Sequence, residues 1–154
     1  MTRQRVCLYE VPMSLLKVRI YGDPVLRQVA GEVTEFDISL EQFAADMVET
    51  MIAEEGIGLA APQVGVSKRF LVIGLPVEDS EDDRRIIVMV NPEILDIGEE
   101  HIVIEEGCLS LPGLTEEVSR PDQVRVRYQD LKGTVHEIET DGIFSRVIQH
   151  ETDH

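Results

Sequence analysis

Apolar positions recur at two different periods along this chain, and each change of period marks a change of element. From Ser39 to Glu55, the residues Leu40, Phe43, Ala44, Met47, Val48, Met51 and Ile52 return at three- and four-residue spacing, which predicts an amphipathic helix. Ser39 and Gln42 have the spacing of a capping box at its start, and Glu41, Asp46 and Glu49 fall off the apolar stripe onto a solvated face. The small residues of Gly56-Ile57-Gly58-Leu59-Ala60-Ala61-Pro62-Gln63 then suit a helix cap and a tight turn. Phe70 to Leu75 and Arg85 to Asn91 are apolar, β-branched runs that predict strands, with the acidic stretch Glu78 to Asp83 as a solvated loop between them. Ile94 to Ile97 and His101 to Glu105 predict two more strands, turning at Gly98, and Pro112-Gly113 is expected to break the chain. Val124 to Tyr128 and Thr134 to Thr140 alternate around Asp130-Leu131-Lys132-Gly133, the pattern of a hairpin. Asp23-Pro24 suits the start of a short helix, and Asp141 the start of a last one with Ile143, Phe144, Val147 and Ile148 on its apolar side.

Composition narrows the classes. A chain of 154 residues is long enough for one domain with a core. Residues 1–14 show no period and are read as a mobile N-terminal extension, which leaves residues 15–154 as a single domain. Fourteen basic against thirty acidic residues give a net charge of -16, which opposes binding to nucleic-acid phosphate. No run approaches the ~18 apolar residues of a membrane span, and no apolar run leads to a small-residue cleavage site, so a cytoplasmic protein is expected. In that compartment the two cysteines, Cys7 and Cys108, are expected to be reduced, with Cys7 in the extension.

The chemistry concentrates at the end of the chain, in Gln149-His150-Glu151-Thr152-Asp153-His154. Helical residues four apart share a face, so His150 and His154 can turn toward one metal ion. Glu151 then stands beside the metal, where a carboxylate can take a proton from water held there. A third ligand has to come from upstream: Cys7, Cys108, His101, His136 or a carboxylate. Cys108 is best placed by local chemistry, in Glu106-Gly107-Cys108-Leu109-Ser110, where glycine permits close backbone approach. His101 and His136 fall on strands and are read as structural. The expected class is α+β, with mixed or antiparallel strands packed around a C-terminal metal-binding helix. Two histidines, a thiolate and one open position make a catalytic site, since a closed structural site fills all four positions with protein.

GIGLAAPQ from Gly56 to Gln63, EGCLS from Glu106 to Ser110 and QHETDH from Gln149 to His154 together resemble the three signature motifs of the peptide deformylase family, in the family's order. The similarity runs from about Leu16 to the end and includes Val18 to Pro24. The resemblance implies removal of the formyl group from N-formylmethionine of nascent polypeptides, with release of formate. It implies Cys108, His150 and His154 as metal ligands and Glu151 as the acid/base, with Gln63 and the Leu109 backbone N–H at the oxyanion. Gly58 borders the substrate, and Ile57, Ile143 and Val147 are candidates for the methionine pocket. The implied native metal is ferrous iron, with zinc or nickel able to replace it. Thr115 stands where many relatives carry a basic residue. Relatives also continue their last helix beyond the final histidine, so the domain is expected to be truncated at its C-terminus, without an extension that could make transient ribosome contacts. Two other readings share these residues: a metallopeptidase of the HExxH kind, and a non-catalytic binder of formylated N-termini.

Overall fold

A strand that is apolar at every position needs cover on both faces, and Phe70-Leu71-Val72-Ile73-Gly74-Leu75-Pro76 is such a strand. The computed structural model describes residues 15–20, 22–77 and 83–153 and provides that cover with two helices. Helix α1 (Ile38–Ala53) packs Met47 and Met51, each fully buried, against Phe70 and Val72. Helix α2 (Gly142–Thr152) packs Val147 and Ile148 against Leu71, Ile73 and Leu75 on the opposite face. Truncating one of these fully buried long side chains to alanine would cost about 2–5 kcal/mol.

The covered strand, β2 (Phe70–Pro76), lies in a sheet with β1 (Gly58–Ala60), β3 (Arg84–Ile97), β6 (Val124–Gln129) and β7 (Val135–Thr140), in the order β1-β2-β3-β6-β7. The described pairings in it are antiparallel. A separate pair, β4 (His101–Cys108) with β5 (Leu111–Pro121), forms a second antiparallel ribbon. The α+β class and the β6–β7 hairpin follow the sequence pattern.

Several local expectations are corrected. The cap of α1 is Asp37, whose Oδ1 accepts from the Leu40 N–H at 3.1 Å, so Ser39 lies inside the helix. Ile52, placed on the apolar stripe by spacing, is 45% exposed. Ile94 to Ile97 belongs to β3 and pairs with β6, whereas His101 to Glu105 belongs to β4, so Gly98 joins two different sheets. One strand can run through Asn91-Pro92 because the register shifts there. Proline has no N–H for the ladder, and Asn91 takes a left-handed φ of 51°. Pro112-Gly113 does not end the ribbon but lies at the start of β5. The acidic loop lies largely outside the described residues, as do Cys7, the N-terminal extension and His154.

Candidate active site

Helix α2 is held by more than its apolar side. Its N-cap, Asp141, makes no side-chain capping bond; instead the Gly142 N–H donates to Asp122 Oδ1 at 3.3 Å. Gln149, almost fully buried, donates from Nε2 to the Pro121 carbonyl at 2.9 Å and to Ser145 Oγ at 3.1 Å, fixing the helix against the end of β5. Arg146 and His150 are four residues apart and therefore share a face. Both meet Glu106, which β4 carries in from the ribbon.

Glu106 is the hub of this contact. Its carboxylate accepts from Arg120 Nε at 2.8 Å and Nη2 at 3.0 Å, and also from Arg146 Nη1. Arg146 donates further to the Val118 carbonyl at 3.0 Å and to the Ile102 carbonyl, so its buried guanidinium ties the helix to both strands of the ribbon. Burial alone would raise the Glu106 carboxyl, but the hydrogen bonds from Arg120, Arg146 and His150 outweigh it and bring the group down to about 2. His150 Nδ1 lies 3.0 Å from Glu106 Oε1. A carboxylate there fixes the tautomer with hydrogen on Nδ1 and leaves Nε2 as a lone-pair donor, the arrangement common around metal-binding histidines. Arg120 Nη1 also holds Asp153 at 3.0 Å, next to the expected ligand His154.

The next residue on the helix, Glu151, has no such partners among the described residues. It is 6% exposed, and Oε1 is buried without a hydrogen-bond partner among the described residues. Burial, and secondarily the nearby Glu106 charge, pushes its carboxyl up to about 8. Strand β1 passes so close that a Cβ built on Gly58 would lie 2.7 Å from Glu151 Oε2 and 2.8 Å from Val147 Cγ1. Only glycine fits there.

Gln63 follows β1 in a short 3-10 turn, Ala61–Val64, and is 1% exposed. Its Oε1 accepts from the Ala60 N–H at 2.9 Å, which turns the NH₂ toward Ser110 Oγ at 3.3 Å and Cys108 Sγ at 3.5 Å. Cys108 ends β4, and burial pushes its thiol up. Leu109 follows in the turn between β4 and β5, and its side chain fills the space that a Cβ on Gly56 would need, 2.9 Å from Leu109 Cδ1.

A cavity of about 650 Å³ lies between the ribbon, β1 and α2; Gln63 is not in its lining but reaches Cys108, which is. Cys108, His150 and Glu151 line it, as do Gly58, Leu109 and the pocket candidates Ile57, Ile143 and Val147. Val147 is buried, while Ile143 is 54% exposed at the margin. His101 is exposed, and His136 lies against Asp130 and Tyr128, away from the cavity. Among the described residues no three potential ligands form a metal-binding group; the expected set requires His154, which lies outside them. The groups in place nonetheless fit a metal: a thiol beside the cavity and an imidazole with Nδ1 engaged as donors, and next to them a buried carboxylate with one oxygen unmatched among the described residues.

Sequence reasoning gave no role to Arg146 or Arg120 and took Glu106 only as part of a motif. One signal was present, the four-residue spacing of Arg146 and His150, which puts a cation and a candidate ligand on one helical face.

Comparison with known proteins places the site in a family context. The polypeptide deformylase family profile matches residues 15–154. A peptide deformylase of Picosynechococcus sp. is 45% identical over 139 residues, covering 90% of this chain and 73% of the relative. One of Thermotoga petrophila is 45% identical over 140 residues, covering 91% and 81%. The crystal structure of peptide deformylase from Thermotoga maritima superposes with a TM-score of 0.83 at 44% identity, covering 90% of each chain. The Met-Ala-Ser-bound crystal structure of a class I type b peptide deformylase from Acinetobacter baumannii gives 0.85 at 36% identity, covering 92% and 93%.

Proposed function

This chain belongs to the polypeptide deformylase family, and on that premise we propose how its own residues carry the family's reaction. The protein is a metal-dependent hydrolase that removes the N-formyl group from formylated nascent peptides. We assign the chemistry to the cavity between α2 and the β4–β5 ribbon. The observation that carries the assignment is the buried, unmatched Glu151 carboxylate facing Gly58, beside Cys108 and His150.

Cys108 and His150 would hold the ion together with His154, the last by resemblance. When bound, a divalent cation supplies Lewis-acid activation of water and of the formyl carbonyl. Glu151 accepts a proton from the attacking water at a carboxylate oxygen and returns it to the amine nitrogen as the C–N bond breaks, giving formate and a free N-terminus. Gln63 Nε2 and the Leu109 N–H donate to the formyl oxygen as it gains charge. The Gln63 amide is already oriented by the Ala60 N–H, so little reorganisation is needed. Ile57, Ile143 and Val147 give the methionine side chain an apolar wall, and the missing Cβ of Gly58 leaves room for substrate backbone. Glu106 holds His150 in one ring orientation, and Arg146 and Arg120 hold Glu106.

Ferrous iron is the proposed native metal, since a mixed thiolate and imidazole set accepts it, with zinc and nickel as substitutes. A cytoplasmic location belongs to the same reading, because the substrate is a chain still being made. The test is formate release from formyl-Met-Ala-Ser by purified protein, with metal analysis of Cys108→Ser alongside. Formate from the wild type and loss of metal from the variant are expected. Cleavage of an internal peptide bond, or formyl-peptide binding without formate, would overturn the reading.

A further inference from the structure

Five consecutive residues, Glu54 to Gly58, run along the cavity wall from the end of α1 into β1, and a side chain outside the cavity holds them. Helix α1 closes with two overlapping bonds, from the Glu55 N–H to the Ile52 carbonyl at 3.0 Å and from the Gly56 N–H to the Met51 carbonyl at 2.9 Å. That closure puts Glu55 in the left-handed region at a φ of 60°, a place glycine usually takes. A side chain there carries strain, and such strain persists only where the surroundings fix the backbone firmly.

Arg84 fixes it on the β1 side of the turn. It opens β3, half-buried, opposite Pro76 in the β2–β3 register, and is not in the cavity lining. Its Nη1 donates to the Gly56 carbonyl at 3.2 Å and to the Gly74 carbonyl at 3.1 Å. The β1–β2 register ends at Gly58 with Ile73, and one step beyond it the Gly74 N–H still donates to the Ile57 carbonyl at 2.9 Å. The guanidinium therefore closes the open end of that ladder with a charged donor, whose hydrogen bonds are roughly twice as strong as neutral ones. Leu109, whose N–H is assigned to the oxyanion, rests its side chain against the same Gly56, where a Cβ would lie 2.9 Å from Leu109 Cδ1.

We propose that Arg84 is a positioning residue for deformylation, which sets Ile57 and Gly58 against the substrate by holding the Gly56 and Gly74 carbonyls together. The inference rests on the assignment of the cavity as the deformylation site. In that assignment Ile57 and Gly58 touch bound substrate, whereas Glu151, His150 and Cys108 are carried by α2 and β4, which Arg84 does not hold. Loss of Arg84 therefore falls on KM and spares kcat.

The experiment measures formate release from amidated formyl-Met-Ala-Ser by the metal-loaded protein, together with amide hydrogen exchange of the same samples. The peptide is uncharged, so a charge removed from the protein has no substrate charge to act on. R84M should raise KM roughly 3- to 30-fold and leave kcat and metal content within about 2-fold. The amides of Ile57, Gly58 and Leu59 should exchange roughly 10-fold faster in it, while those of β6 and β7 keep their rates. K132M, which removes the same charge from the exposed turn between β6 and β7, should leave KM and the β1 exchange as they are. Should R84M not fold, R84Q, which keeps an amide donor on a shorter side chain, should raise KM in the same direction. An unchanged KM in the folded variant, a loss confined to kcat, or exchange that quickens in β6 and β7 as much as in β1 would overturn the positioning role and leave the deformylase assignment standing. Absence of formate from the wild type would overturn that assignment and the role of Arg84 with it.

Discussion

Two carboxylates at the ends of one short path through this protein live in opposite surroundings. Glu106, on the ribbon, is met by two guanidinium groups and an imidazole and is held down to about 2. Glu151, one residue past that imidazole on α2, has a buried oxygen with no hydrogen-bond partner among the described residues and is pushed up to about 8. The same functional group is therefore held as an anion in one region, and in the other it has the surroundings that suit the proton-carrying role proposed for it. Partners decide which, since both are largely removed from water.

The sharpest break in that contrast is Glu151→Gln. It should cut formate release by about 10²–10⁴-fold with metal content retained, while the melting temperature stays level or rises. Among the described residues Oε1 of this carboxyl has no hydrogen-bond partner, so replacing it with an amide forfeits no described bond. Full turnover by this variant would remove Glu151 from the mechanism.

Arg146→Met should show the reverse profile. It leaves Glu106 short of a buried partner and removes the bonds to the Ile102 and Val118 carbonyls, and breaking such a pair costs about 3–5 kcal/mol. Urea denaturation measures it, and a change under about 1 kcal/mol would mean that the network contributes little.

Gly58→Ala probes the wall between the regions. The added methyl would lie 2.7 Å from Glu151 Oε2, and overpacking of this kind costs about 1–3 kcal/mol, so both the urea midpoint and formate release should fall.

The smallest effect is expected at Asp130, a half-buried counterpart of Glu106. Its carboxyl is held below the usual range, first by the hydrogen bond with His136 and then by the Lys132 N–H. A carboxyl lowered by folding stabilises above its unfolded pKa and loses that contribution as pH falls through its folded value. The β6–β7 hairpin should therefore loosen only in acid below the ordinary aspartate range. NMR of the hairpin amides against pH checks this, and loosening already at neutral pH would contradict it.

How much of this was visible in the chain depends on the range of the interaction. The period of Leu40 to Met51 marked α1, and the alternation about Asp130 to Gly133 marked the hairpin, because neighbours in sequence are neighbours in those elements. The cap was misplaced by two residues because Asp37 and Ser39 are both good capping types, and only the observed bond to the Leu40 N–H distinguishes them. The three motifs marked Gln63, Cys108 and His150 to His154, and the described members of that set do line or adjoin one cavity.

The sequence by itself determined the elements whose pattern is local, the acidic character, and the residue types available for hydrolysis. Tertiary structure decided which sheet each strand joined. Ile94 to Ile97 and His101 to Glu105 look alike in the chain, yet they pair with partners that only the folded chain brings near. It also decided the difference between Glu106 and Glu151. Glu106 meets Arg146 across 40 residues and His150 across 44, while Glu151 faces Gly58 from across the cavity wall. Protonation and anchoring follow from desolvation and from the charges brought close by folding, and neither is a property of a residue in sequence.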